Sequence, residues 1–340
     1  MMLDFISAVY HGFPWAHLTE WPPLDNDNGN GNATHYGTAT DESTAVSHQV
    51  FWGSVVLAWA LTIPAHGQPT AHRNYSIIDR IWPLYPAAYT VYWTWNAAEQ
   101  PGPKALVAVW LVCVWALRLL YNSVRRGDYR WGAEDYRWAF VRAWFDDTFS
   151  SGIVRAVVWE VFNFGFIAAF QLGLLYLLVA PVREMLVAGA SVSSQWMVGE
   201  VALVLAMAAL LAIEAVADEQ QYRFQCRKRS VGDVRKTGAF VTTGLWQYSR
   251  HPNVLCEQAF WLALGVYCAW VCRVDLGDAG NVWWMSGSLL LVALMWGSVR
   301  LTEDISRRRY PLYRAYQLKT SRLLLWPPKS NAQVIATAAA

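Results

Sequence analysis

The chain has 340 residues, of which 55% are hydrophobic and 15% charged, with a formal net charge of +2. Soluble domains carry nearer a quarter of charged residues, so the composition excludes an ordinary soluble enzyme, and so small a net charge excludes a nucleic-acid partner. The 21 Trp and 16 Tyr suit a membrane protein, which uses amphipathic rings at both bilayer interfaces.

In chain order, Met1 to Pro23 lacks the basic start and apolar core of a cleaved signal peptide. Leu24 to His48 is a polar tract with nothing to bury, so residues 1–48 are expected to form a disordered N-terminal region. Apolar stretches of membrane-spanning length follow at Val50–Ala65, Ile77–Trp95, Ala105–Tyr121, Val157–Ala180, Trp196–Ala217, Cys256–Cys272 and Val282–Val299. About 20 residues cross a bilayer. The pattern predicts an all-α, polytopic membrane helical bundle of about seven transmembrane helices. The membrane domain runs over 49–328, its C-terminal half over 196–328, and a tail over 329–340.

The five cysteines form no C-x-x-C pair and the seven His do not cluster at ligand spacing, so no metal site is expected. Seven Lys and Arg lie in Arg118–Arg155, seven in Arg223–Arg250 and eight in Arg300–Lys329, of 27 in all. Seven crossings place these three segments on one side, which the positive-inside rule makes the cytosol. Lys104, Arg183 and Arg273 fall opposite, and the N-terminal tract would be outside or lumenal. Asn32-Ala33-Thr34 in that tract is a glycosylation acceptor sequence, and Asn74-Tyr75-Ser76 would face the cytosol.

No Gly-rich nucleotide loop, zinc motif or nucleophile elbow is present. Polar residues gather instead at the cytosolic ends of the last three apolar stretches. Glu214, Asp218, Gln221 and Gln225 are spaced four, three and four apart, on one helical face. In Gly244-Leu-Trp-Gln-Tyr-Ser-Arg250-His251-Pro252-Asn253-Val-Leu-Cys-Glu257, Pro252 suits the first turn of a helix, so Arg250 and His251 sit where free N–H groups favour an anion. Asn253, Glu257 and Trp261 continue one face into the apolar helix, and a carboxylate such as Glu257 at membrane depth is a functional candidate. In Glu303 through Ser321, Tyr310, Tyr313 and Tyr316 stand three apart among Arg and Lys, facing either a nucleotide or lipid headgroups.

These residues resemble a membrane family of uncharacterised proteins allied to steroid 5α-reductases, with isoprenylcysteine carboxyl methyltransferases as distant relatives. The likeness runs from about Ser76 to Pro328. It is carried by Ser76-Ile-Ile-Asp79-Arg80-Ile-Trp82-Pro83, Glu134-Asp135-Tyr136-Arg137, Glu214 to Phe224, Gly244 to Glu257 and Tyr310 to Ser321. The resemblance implies a helical bundle open to the cytosol, and NADPH reducing a C=C bond conjugated to a carbonyl in a lipophilic, sterol-like substrate. By matching position, Asp218, Gln221, Arg250, His251, Asn253, Glu257, Tyr310 and Tyr313 would line the cofactor. Arg250 would suit phosphate. Where the family has Tyr-Phe-Gly-Glu, this chain has Val254-Leu255-Cys256-Glu257, and Cys permits less close backbone approach than Gly. Asp79, Tyr85 and Tyr92 are candidates for the group that polarises the substrate, although Asp79 with Arg80 could be an ion pair. The expected partners are the bilayer and a lipophilic small molecule, and the expected location is the endoplasmic reticulum membrane in a eukaryotic cell. Methyl transfer from S-adenosylmethionine on the same architecture, or non-catalytic lipid binding, are the alternatives.

Overall fold

The computed structural model describes residues 51–60, 75–97, 100–130, 132–189, 192–231, 240–278 and 281–330. The polar tract, Asn32 and Asn74 lie outside the described residues. The described residues form helices and the connections between them, with no strand beyond an isolated bridge between Ser249 and Ser321. In order it forms α1 (Phe51–Ala60), α2 (Ile77–Ile81), α3 (Leu84–Trp95), α4 (Pro103–Arg126), α5 (Tyr136–Thr148), α6 (Gly152–Phe162), a π-helical stretch (Asn163–Phe170), α7 (Gln171–Ala188), α8 (Val198–Val231), α9 (Pro252–Val271), α10 (Trp283–Arg309) and α11 (Tyr313–Lys319).

Five continuous helical segments are long and apolar enough to cross a membrane: Pro103–Arg126, Gly152–Ala188, Val198–Val231, Pro252–Val271 and Trp283–Arg309. The protein is therefore a polytopic membrane helical bundle. Two of the seven apolar stretches in the sequence behave differently. Ile77–Trp95 breaks at Trp82 and Pro83 into α2 and α3, because proline brings no N–H and its ring clashes with the preceding turn. The described part of Val50–Ala65 is the ten-residue α1. The fourth segment is longer than expected, since Val182 to Ala188 stays helical past Pro181.

Sequence chemistry sets the helix ends. In α4, Gly102 is the N-cap, Pro103 occupies the first turn, and Arg125 and Arg126 close the last turn before Gly127 at φ 93°. Proline at the start, cations near the C-terminal dipole and a left-handed glycine after it are the expected terminators. Asp135 caps α5 by accepting the Arg137 N–H at 2.8 Å.

Helix α7 is apolar all round from Leu172 to Val182 and lies at the centre, packed by α3, α4, α9 and α10. Pro181 leaves the Leu177 carbonyl without its helical N–H donor. Gly287 of α10 packs against that peptide, where a Cβ would stand 2.5 Å from the Leu177 carbonyl carbon. Small residues at such crossings let two membrane helices approach backbone to backbone. Along the π-helical stretch, Phe162, Phe166 and Phe170 stack in sequence with centroids 5.1 and 5.4 Å apart. The functional end of the molecule is set by α8 against α9, with α4 closing their side.

Candidate functional site

Three helices from distant parts of the sequence meet in a buried polar cluster. Arg118 of α4 reaches α8, where its Nη2 stands 2.9 Å from Glu214 Oε1 and its Nη1 bonds Asp218 Oδ2. The Glu214 contact has ion-pair distance but is out of line for a hydrogen bond. From α9, Asn253 donates to Asp218 Oδ1 at 3.4 Å, and the Glu257 carboxyl lies in the field of Arg118. One guanidinium thus faces the carboxyl groups of Glu214, Asp218 and Glu257, all in a buried space. Such an excess of carboxylate inside a protein is relieved by a proton or by a bound partner.

With every carboxyl ionised, several buried polar atoms here accept or donate nothing among the described residues: Arg118 Nε, Gln221 Oε1, Glu257 Oε1 and both oxygens of Glu214. As carboxylates, Glu214 and Glu257 can bond each other only if one of them holds a proton. One turn further in, Trp115 and Trp261 pack edge to face at 4.8 Å, and both buried indole N–H groups lack a partner. Native interiors leave few polar groups unmatched, so their concentration here makes the cluster a candidate site.

The turn before α9 is held in place by side chains. Gly244 adopts φ 66°, and a Cβ there would lie 2.5 Å from Gln220 Oε1, which accepts the Leu245 N–H at 2.9 Å. Trp246 Nε1 donates to the Ala217 carbonyl at 3.1 Å, tying this turn to α8. Arg250 and His251 follow, and both turn to Glu303 of α10. Arg250 Nε lies 2.6 Å from Glu303 Oε1, its Nη2 3.2 Å from Oε2, and His251 Nε2 3.2 Å from Oε1. Arg250 Nη1 donates to the carbonyls of Gln317, at 2.9 Å, and of Thr320. Arg250 therefore pairs with Glu303, and its donors are already engaged. Gln317 Nε2, at 3.1 Å, and Arg322 Nε, at 3.4 Å, also reach Glu303 Oε2.

Tyr310 and Tyr313 gather with Tyr316 around Phe240, at centroid distances of 5.9, 5.0 and 5.3 Å. Lys228 of α8 bonds the Tyr310 hydroxyl at 3.2 Å and stands over its ring at 4.9 Å. Burial pushes the Tyr313 phenol well up, so it remains a neutral O–H at physiological pH.

The family described as a protein of unknown function, DUF1295, matches residues 67–320. The chain belongs to it. This DUF1295 chain is also 34% identical over 271 residues to an uncharacterised protein of Schizosaccharomyces pombe, covering 74% of this chain and 72% of that one. No solved structure matches.

The predicted cofactor residues of the DUF1295 chain thus fall into three neighbouring groups. Asp218, Asn253 and Glu257 meet at Arg118, with Gln221 one turn further along the same helix; Arg250 and His251 meet at Glu303; Tyr310 and Tyr313 meet at Phe240. The N-terminal candidates do not join one another. Asp79 accepts from Trp138 Nε1 at 3.2 Å, and Arg80 donates instead to the carbonyls of Asp128, Arg130 and Ala133. Asp79 is thus tied to α5 itself, and Arg80 to the α4–α5 connection. Tyr85 bonds Ser54 Oγ at 2.8 Å and donates to the Tyr89 hydroxyl at 3.1 Å, within an aromatic group that includes Tyr176 and Trp93. Tyr92 is exposed.

Arg118 and Glu303 were not assigned to the site from sequence. The signal for both was an ionisable residue carried by an apolar helix, which membrane burial makes a functional candidate by default.

Proposed function

We propose that this membrane protein is an NADPH-dependent reductase acting on a lipophilic enone or sterol-like lipid, in the endoplasmic reticulum membrane of a eukaryotic cell. The observation that carries the proposal is the set of unmatched buried atoms around Arg118, Gln221 and Glu257. They lie on α4, α8 and α9, and two of the three are residues to which the resemblance to steroid 5α-reductases assigns the cofactor. Two acceptors and a donor suit the hydroxyls and the carboxamide of a nicotinamide nucleotide, so the residues fit the group. Exposed Arg227 and Arg229 at the end of α8, with Arg314 on α11, offer charge for its phosphates. The Lys228–Tyr310 contact brings α8 and the start of the α11 region together. When bound, the cofactor supplies the hydride.

The chain supplies the rest. Glu257 orients the bound group, Arg118 holds the neighbouring carboxyls in place, and Trp115 and Trp261 close the inner side against water. Reduction of a C=C bond also consumes a proton. The Glu214 and Glu257 carboxyls can hold one between them.

One observation favours a second reading, methyl transfer from S-adenosylmethionine. Arg250 is committed to Glu303 and two carbonyls, and a cofactor without phosphates would not need it. Melting curves of the detergent-purified full chain with NADPH, NADH and S-adenosylmethionine separate the readings. NADPH should stabilise most, by about 2.7 kcal/mol at 100 times its dissociation constant. Stabilisation by S-adenosylmethionine alone would replace the reductase with a methyltransferase.

A further inference from the structure

Helix α9 ends, at its far end from His251, on an arginine in a position that glycine usually fills. Cys272 caps the helix and Arg273 follows at φ 57°, the only positive φ of a non-glycine among the described residues. The Arg273 N–H donates to the Trp270 carbonyl at 3.0 Å and the Val274 N–H to that of Ala269 at 2.8 Å. This pair of bonds is the Schellman ending, whose left-handed residue favours glycine because a side chain there crowds its own backbone. The chain therefore keeps a guanidinium where the local backbone would do better with no side chain. Strain of this kind, at a residue with a functional group, points to a use for that group.

Arg273 lines an open cleft of about 550 Å³ with Gln100, from before α4, and with Ser193, Ser194 and Gln195, from before α8. Three separate connections thus converge on it. Among the described residues, the lining offers hydroxyls, amides and one cation, and no carboxylate. The nearby cation Lys104 is already paired with Glu200 at 2.8 Å in a buried contact, whereas Arg273 has no ion-pair partner among the described residues.

We propose that this cleft binds an oxyanion of the phosphate class, held by the Arg273 guanidinium and the hydroxyls of Ser193 and Ser194. A planar guanidinium pairs with two oxygens of such a group at once. The anion is either free phosphate or the headgroup of a lipid in the adjoining leaflet. The site is separate from the Arg118 cluster and does not depend on the reductase reading.

The test uses the purified full chain in neutral detergent, its melting followed with inorganic phosphate and with short-chain phosphatidic acid. Wild type is compared with Arg273→Gly and Arg273→Asn, both of which accept the left-handed backbone and so should fold. We expect at least one probe to raise the wild-type melting temperature, with more than half of that shift lost in both variants. A shift with both probes assigns free phosphate, and a shift with phosphatidic acid alone assigns the lipid headgroup. Equal shifts in wild type and both variants, or no shift of wild type with either probe, would overturn the proposal.

Discussion

Arg250 and Glu303 face each other across 53 residues of sequence, with Nε 2.6 Å from Oε1 and both side chains almost fully buried. This pair joins the start of α9 to α10, and through the Gln317 and Thr320 carbonyls to the end of α11. Removing one partner leaves the other buried charge without its main counter-ion, although Glu303 keeps His251 and Arg322, at a cost of up to about 3–5 kcal/mol. Arg250→Met and Glu303→Leu should each destabilise by about that much, and the double variant by clearly less than their sum. A double-mutant cycle from melting or denaturant curves reads the coupling. Strict additivity would mean that the pair does not act as a unit.

How much of this arrangement could be read beforehand depends on its range along the chain. The face formed by Glu214, Asp218 and Gln221, the helix start at Pro252 and the inward course of Asn253 and Glu257 all follow from 3.6-residue periodicity and proline chemistry. Arg118 with Asp218 and Arg250 with Glu303 do not, because each pairing is created by helix packing across 100 and 53 residues. The break at Trp82 and Pro83 was written locally, yet hydropathy averages over it and merges α2 with α3. The DUF1295 match covers both halves of the chain but names no chemistry.

The crossing of α7 and α10 depends on Gly287. A Cβ there would meet Leu177 backbone atoms at 2.5 and 2.6 Å, and backbone cannot yield as a side-chain tip can. Gly287→Ala should cost about 1–3 kcal/mol. Gly297, on the same helix, has open space around its Cβ position, so Gly297→Ala should gain up to about 1 kcal/mol from helix propensity. Melting of the two variants side by side checks this, and equal effects would mean that the crossing tolerates a methyl group.

Acid sensitivity should trace in part to Asp135, which lies outside the spanning helices. Burial alone would raise its pKa, but three hydrogen bonds from Arg137 and the charge of that residue outweigh it and hold it below the ordinary carboxylate range. The folded value lies below the unfolded one, about 3.9. The stabilisation is therefore complete above the unfolded value and lost as pH falls through the folded value. Asp135→Asn should melt lower than wild type at pH 7 and lose less stability on acidification below about pH 4. Parallel melting profiles across that range would rule this contribution out.

Orientation can be read from cysteine access. Cys226 is exposed near the basic end of α8, while Cys268 is buried towards the other end of α9. With the basic segments in the cytosol, an impermeant maleimide should label Cys226 only after the membrane is opened from outside, or directly in inside-out vesicles. Labelling of Cys226 in intact cells would reverse the orientation.

The central claim is that the carboxyl cluster around Arg118 holds the cofactor, and Glu257 tests it most directly. Glu257→Gln keeps the shape and removes a charge that is costly to hold at membrane depth, so the protein without ligand should melt at the same temperature or higher. It also replaces a charged acceptor worth about 1.5–3 kcal/mol, so NADPH affinity should fall roughly ten- to a hundredfold. The measurement is an equilibrium titration of NADPH against purified wild type and Glu257→Gln at one fixed salt concentration. A ten- to hundredfold loss of affinity in a variant that melts no lower than wild type is the predicted result. Equal affinity in the two proteins would contradict the account.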